Sequence, residues 1–223
     1  PAHAGDPDAL QNLVQTTVAS LGRVDIVVNN AATNPHFGPI LEAEASHWQK
    51  IFEVNVFGAF LLAKYAAPHL PEGGKIINIA SILGFQPGMG MGVYSTSKAA
   101  LIMLTRVLAQ ELAPQGIQVN ALAPGFIRTR FSEALWNNPA TRAHLEGRTP
   151  AGRIGNPDDL TAAALYLASA GSSFMTGQTL VIDGGITLAG DVRRPSAARW
   201  QAVRLRFHGQ KAAPQPATVL PGA

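Results

Sequence analysis

The chain has 223 residues, of which 47% are hydrophobic and 14% are charged, a balance that excludes a disordered chain and can fill the core of one α/β domain. It contains no cysteine, which excludes a disulfide scaffold, a thiolate zinc site and a cysteine nucleophile. The formal net charge of +3 is uneven, because residues 191–223 carry +5 and the preceding residues carry −2. We therefore expect one domain over residues 1–190, followed by a basic, proline-containing tail over 191–223 that is poorly ordered and binds no nucleic acid.

Helical and strand patterns alternate along the domain. Predicted helices cover residues 7–21, 46–69, 93–113 and 156–169, and predicted strands cover 24–28, 75–80, 117–122 and 179–182. No uninterrupted apolar run exceeds eight residues, so no membrane span is predicted, since a span needs about 20. Strands separated by helices are typical of a parallel sheet, whose binding sites lie beyond the carboxyl ends of the strands. Asn29, Ser81 and the Pro124-Gly125 pair follow strands directly and are expected to line one crevice.

Several polar residues in this region match a known pattern. Tyr94 and Lys98 lie one helical turn apart, and Ser81 precedes Tyr94 by 13 residues. With these residues and three further elements, the sequence resembles the short-chain dehydrogenase/reductase family. The matches are Asn29-Asn30-Ala31-Ala32 with NNAG, Asn55-Val56-Phe57-Gly58 with NVxG, Ser81 with the catalytic serine, and Tyr94 to Lys98 with YxxxK. Pro124-Gly125 and Thr129 together match the family segment that holds the nicotinamide carboxamide. The resemblance covers residues 1 to about 189 and implies a Rossmann-like, doubly wound parallel sheet.

The resemblance implies that the full-length parent is an NAD(P)-dependent oxidoreductase that interconverts a secondary alcohol and a ketone. Tyr94 would be the acid/base, and the charge of Lys98 would lower its pKa from the ordinary value of about 10. Lys98 would also bind the nicotinamide ribose, Ser81 would orient the substrate oxygen, and Asn55 would support a proton relay. The cofactor-binding residues implied are Asn29, Ala31, Tyr94, Lys98, Pro124, Gly125, Ile127 and Thr129. Neither NAD nor NADP is favoured.

The resemblance further implies that the full-length form is a cytoplasmic homodimer or homotetramer that packs the helices over residues 46–69 and 93–113. The substrate would be a small carbonyl compound or alcohol. No metal is expected, because the six histidines show no metal-ligand spacing.

One element of the family pattern does not occur in the sequence. Members begin with a strand and a TGxxxGxG turn that binds the cofactor pyrophosphate. The glycine-rich segment 88–92 lies between Ser81 and Tyr94, so we expect it to form a wall of the substrate pocket instead. We expect a sheet that lacks the first two strands, an exposed edge at residues 24–28, and weak binding of NAD(P)H. The alternative is a non-catalytic truncated fragment that can only associate with full-length relatives.

Overall fold

The computed structural model describes residues 2–188, so the predicted tail over 191–223 lies outside the described residues. The helices are α1 (Pro7–Leu21), α2 (Ala45–Phe52), α3 (Gly58–Ala66), α4 (Gly92–Leu112), α5 (Glu133–Trp136), α6 (Pro139–Arg148) and α7 (Asp158–Ala168). The strands are β1 (Ile26–Asn29), β2 (Lys75–Ile79), β3 (Gln118–Pro124) and β4 (Thr179–Ile182).

The strands form one parallel sheet in the order β1-β2-β3-β4. This confirms the predicted α/β class and the positions of all four strands to within about two residues. β2 and β3 lie at the centre, which explains their nearly continuous apolar sequences. Among the described residues β1 pairs only with β2, and Ile26 and Val28 on its outer face are about half exposed.

Helices cover both faces of the sheet. On one face, α1, α3 and α4 pack over a core that includes Val14, Ala63, Leu108, Ile76 and Val119. On the other face, α7 packs over a core that includes Ile77, Leu122 and Leu167. Adjacent residues of β2 thus face opposite layers, as the alternation of side chains along a strand requires. This double covering leaves the carboxyl ends of the strands open for a binding site.

The helix predicted over residues 46–69 is divided by a wide turn. Glu53–Phe57 is π-helical, and the Gly58 amide donates to the Glu53 carbonyl five residues back. Such turns are rare and often occur at functional sites. Gly58 permits a close approach at this point, since a Cβ there would lie 2.0 Å from the Ala4 carbonyl oxygen.

By length and composition alone, the stretch Ala45–His69 could cross a membrane, with 25 residues and a mean hydropathy of 1.2 in its most apolar window. In the structure α3 packs on α1 and α2 packs on α4. The fully buried Ile51 and Ala66 lie within this stretch, as does the hydrogen-bonded amide of Asn55. We therefore interpret it as a helix of the protein core.

Candidate active site

A cavity of about 640 Å³ opens at the carboxyl ends of β1, β2 and β3. Its lining includes residues 30–32 after β1, 79–83 at the end of β2 and 124–127 at the end of β3. Tyr94 and Lys98 reach it from the first turns of α4. Of the predicted site residues, the cavity brings together Ala31, Ser81, Tyr94, Lys98, Pro124, Gly125, Ile127 and Thr129. Asn29 and Asn55 do not line it and instead lie beside a neighbouring, smaller cavity.

Ser81 and Tyr94 both line the cavity, and the Ser81 hydroxyl is near enough to the Tyr94 phenol to favour a lower pKa of that phenol. Ser81 directly follows β2 and also accepts a hydrogen bond from the Leu83 amide at 3.1 Å, which holds its hydroxyl at the start of a short 3₁₀ turn. Tyr94 is buried in the first turn of α4. Two hydroxyl groups that belong to different elements therefore meet where a substrate oxygen can contact both.

Lys98 is fully buried one turn after Tyr94. Its Nζ donates to the Ile79 carbonyl oxygen at 2.8 Å and lies 5.6 Å from the centroid of the Tyr94 ring. Burial lowers the pKa of Lys98 to about 8, because an ammonium group loses hydration in the protein interior. An ammonium group has three N–H donors, so the hydrogen bond to Ile79 leaves donors for a ligand.

The predicted lowering of the Tyr94 pKa below its ordinary value is not seen in this structure. Burial raises the pKa of Tyr94 to about 12, and the nearby Ser81 hydroxyl opposes that shift without reversing it. The lysine is itself desolvated and donates to a backbone carbonyl rather than to the phenol. Tyr94 is therefore protonated at neutral pH, a form that can donate a proton to a carbonyl oxygen.

Asn55 lies in the wide turn between α2 and α3 and holds two other segments in place. Its Oδ1 accepts from the Thr33 amide at 2.8 Å, and its Nδ2 donates to the Thr33 carbonyl at 3.1 Å. The same Nδ2 donates to Ser97 Oγ at 3.0 Å, and Ser97 in turn donates to the Tyr94 carbonyl at 2.7 Å. Asn55 thus connects the segment after β1 to the first turn of α4.

Asn29 belongs to a buried polar chain that sequence reasoning missed. Its Nδ2 donates to Asn78 Oδ1 at 2.7 Å, and Asn78 Nδ2 donates to Thr105 Oγ1 at 2.9 Å. Thr105 then donates to the Leu101 carbonyl at 2.8 Å. The chain connects β1, β2 and α4 beneath the cavity. The available signal was a single asparagine within the apolar sequence Lys75–Ile79.

The segment after β3 forms another side of the cavity. A Cβ at Gly125 would lie 2.7 Å from the Asp183 Cα, so glycine is required for this close approach to the end of β4. Thr129 faces the cavity, and its Oγ1 lies 3.2 Å from Ser132 Oγ. The small residues of the segment after β3 leave room in the cavity for a flat ligand group.

Within residues 2–188, no group of three His, Asp or Glu side chains is arranged to hold a metal ion.

Comparison with known proteins identifies the family. A family model described as Enoyl-(Acyl carrier protein) reductase matches residues 1–187. The chain is 42% identical over 183 residues to Tropinone reductase-like 3 of Erythroxylum coca, covering 82% of this chain and 70% of that protein. It is 40% identical over 185 residues to Dehydrogenase/reductase SDR family member 4 of Oryctolagus cuniculus, with 82% and 71% covered.

A solved structure has the same fold. It is a gluconate 5-dehydrogenase from Burkholderia cenocepacia J2315 in complex with NADP and tartrate, with a TM-score of 0.80 and 37% identity over 84% of this chain and 74% of that chain. The matched fold and cavity define an α/β oxidoreductase that uses NAD or NADP. The chain belongs to the short-chain dehydrogenase/reductase family.

The matches do not favour the alternative of a non-catalytic fragment. The relatives are named as reductases and dehydrogenases, and Ser81, Tyr94 and Lys98 meet in one cavity.

Proposed function

We propose that the chain interconverts a secondary alcohol and a ketone with NAD or NADP, and that Tyr94 is the catalytic acid/base. The observation that carries this proposal is that Ser81, Tyr94 and Lys98 line one cavity at the carboxyl ends of the strands. A protonated phenol and a second hydroxyl can both donate to one carbonyl oxygen, which polarises the carbonyl and supplies its proton.

The nicotinamide cofactor, when bound, supplies the hydride that the carbonyl carbon receives. Tyr94 gives its proton to the carbonyl oxygen and becomes a phenolate, so a ketone gains one hydride and one proton. Ser81 holds the oxygen while the charge on it grows. The Lys98 ammonium lies on the same helix face as Tyr94 and stabilises the phenolate by its positive charge. In the reverse reaction the phenolate takes the proton from an alcohol.

The residues around the cavity fit the nicotinamide and ribose end of the cofactor. Lys98 has donors available for the ribose hydroxyls, and Ala31 with Pro124, Gly125, Ile127 and Thr129 forms a wall of mostly small and apolar groups. Asn29 does not reach the cavity, and we assign it a positioning role through its hydrogen bond to Asn78. Asn55 binds Thr33 and Ser97, and its proposed part in a proton relay is to hold the segment after β1 against the start of α4.

We further propose a homodimer or homotetramer that packs the helices over residues 46–69 and 93–113, located in the cytoplasm. The exposed apolar side chains on these helices include Phe57, Phe60, Met103 and Val107. The Phe57 and Phe60 rings stack with centroids 6.0 Å apart, and together these residues give an apolar surface suited to a second copy.

The test is carbonyl reduction by Tyr94→Phe at millimolar NADH or NADPH. We expect the rate to fall on the order of 10²–10⁴-fold, because the proton donor is removed while the ring remains. Tyr166→Phe is the matched control, since Tyr166 is partly exposed on α7 outside the cavity, and its rate is expected within twofold of the wild type. Activity of Tyr94→Phe within threefold of the wild type contradicts the proposal, as does an inactive wild-type chain at saturating cofactor.

A further inference from the structure

One side of the cavity consists of apolar side chains that surround the proposed proton donor. We call this side the apolar wall and define it as Leu83, Met91, Phe131 and Leu135. Leu83 and Met91 pack with Tyr94 in one cluster. The Phe131 ring lies 5.9 Å from the Tyr94 ring, tilted by 34°, an arrangement typical of attractive aromatic pairs. Phe131 is 53% exposed, so part of its ring remains available to a ligand.

Polar groups next to the apolar wall are already engaged within their own loop. Ser132 Oγ donates to the Ile127 carbonyl, and Trp136 Nε1 donates to the Thr129 carbonyl at 2.9 Å. Lys98 is the one charged residue among the residues that line the cavity, and it donates to Ile79. A carboxylate or polyhydroxylated ligand against this wall would therefore lose hydration and gain no charged partner there.

The position of Met91 is held by two hydrogen bonds of its loop. The Gly38 amide donates to the Gly90 carbonyl at 2.9 Å, and the Gly88 amide donates to Ser95 Oγ at 3.2 Å. These bonds tie the loop to the segment after β1 and to α4. Met91 consequently lines the cavity, whereas Met89 is 96% exposed and does not. Met91 is therefore held beside Tyr94 without a ligand, which lowers the cost of ordering this side of the wall when a ligand binds.

We propose that the substrate is a ketone, or the matching alcohol, whose larger substituent is an aryl group that packs on Phe131. The carbonyl oxygen then faces Tyr94 and Ser81, and the ring fills the space beside Met91 and Leu135. Sugar acids and other polyols are correspondingly poor substrates. The inference rests on the proposed function and specifies its substrate class. A cavity of this size also suits a compact aryl ketone next to the cofactor ring.

The test measures ligand binding directly, by fluorine NMR of para-fluoropropiophenone with the 223-residue chain. We expect Phe131→Ala to weaken the Kd about tenfold, since an aromatic contact and its buried area are lost. Phe131→Leu should give an intermediate value. Phe174→Ala is the matched control, because Phe174 is fully exposed outside the cavity, and its Kd should stay within twofold of the wild type. A Kd for Phe131→Ala within twofold of the wild type, or displacement of the ketone by gluconate at equal concentration, overturns the inference.

The same ketone is then supplied with millimolar NADPH to separate this inference from the proposed function. Reduction that is equally fast in the wild type and in Phe131→Ala contradicts the aryl site alone. Binding that depends on Phe131 without any reduction supports the aryl site and contradicts the proposed function. A tenfold loss in kcat/KM for the aryl ketone, with less than a threefold loss for acetone, supports both.

Discussion

Replacing Lys98 by methionine should change the free energy of unfolding by an amount that depends on pH. Compared with the wild type, the variant should be favoured more at neutral pH than at high pH. Lys98 is fully buried, and burial lowers its pKa from 10.5 to about 8. That difference in pKa corresponds to roughly 3 kcal/mol of stability. The wild-type protein lacks this stability below about pH 8, because folding there buries the charged ammonium group. Methionine fills a similar volume and has no charge to bury.

The sign follows from proton binding in the two states. Between about pH 8 and pH 10.5 the unfolded chain keeps the lysine proton while the folded protein has released it. The wild-type free energy of unfolding therefore rises with pH across this window, and this contribution is absent in Lys98→Met. Loss of the hydrogen bond to the Ile79 carbonyl costs about 1–3 kcal/mol, but that cost is the same at every pH.

The assay is urea denaturation of wild type and variant at about pH 7 and about pH 10. We expect the difference in free energy of unfolding, variant minus wild type, to be larger at the lower pH by about 2 kcal/mol. Lys64→Met is the control, because Lys64 is exposed on α3 and its substitution should shift stability equally at both pH values. A difference for Lys98→Met that does not change with pH would refute the reasoning.

Three further outcomes are expected. The kcat for carbonyl reduction should stay level below about pH 8 and fall above it, because Lys98 loses its charge there while Tyr94 remains protonated up to about 12; a pH profile that rises above 8 contradicts this. Asn55→Leu should lower the free energy of unfolding by about 2–4 kcal/mol, since the Thr33 backbone groups lose their partner, and an unchanged denaturation midpoint would count against that role. Titration of the 223-residue chain with NADH or NADPH, followed by tryptophan fluorescence, should show no saturation at micromolar cofactor. The reason is that residues 2–188 contain no glycine-rich turn that joins a strand directly to a helix N-terminus. Saturable binding at micromolar cofactor would contradict this prediction.

The strands were predictable because central parallel strands are buried on both faces and so appear as short apolar runs between turns. The division of the helix at Glu53–Phe57 was not predictable in this way. Apolar spacing reports which side chains are buried, whereas a wide turn is a change in backbone hydrogen bonding. The residues on either side remain apolar and keep the appearance of one helix.

The meeting of Ser81, Tyr94 and Lys98 in one cavity could be predicted from their places at a strand end and on one helix face. The direction of the Tyr94 pKa could not, because it depends on burial by residues distant in sequence, such as Phe131. The chain from Asn78 to Thr105 was missed for a similar reason. Its partners are 27 residues apart and meet only once the sheet and α4 have packed.

The wide turn at Glu53–Phe57 holds one residue more than a regular helix would. A π turn absorbs that residue locally, so the helix on either side keeps its buried face. Deleting one residue between positions 53 and 57 would let a regular helix form, and Ile51 would stay in the core. A deletion elsewhere in α2 or α3 would instead rotate the residues on one side of it by about 100° relative to those on the other. The cost of a deletion within the turn should therefore fall on the segment that carries Asn55 and on its contact with Thr33, rather than on the packing of α2.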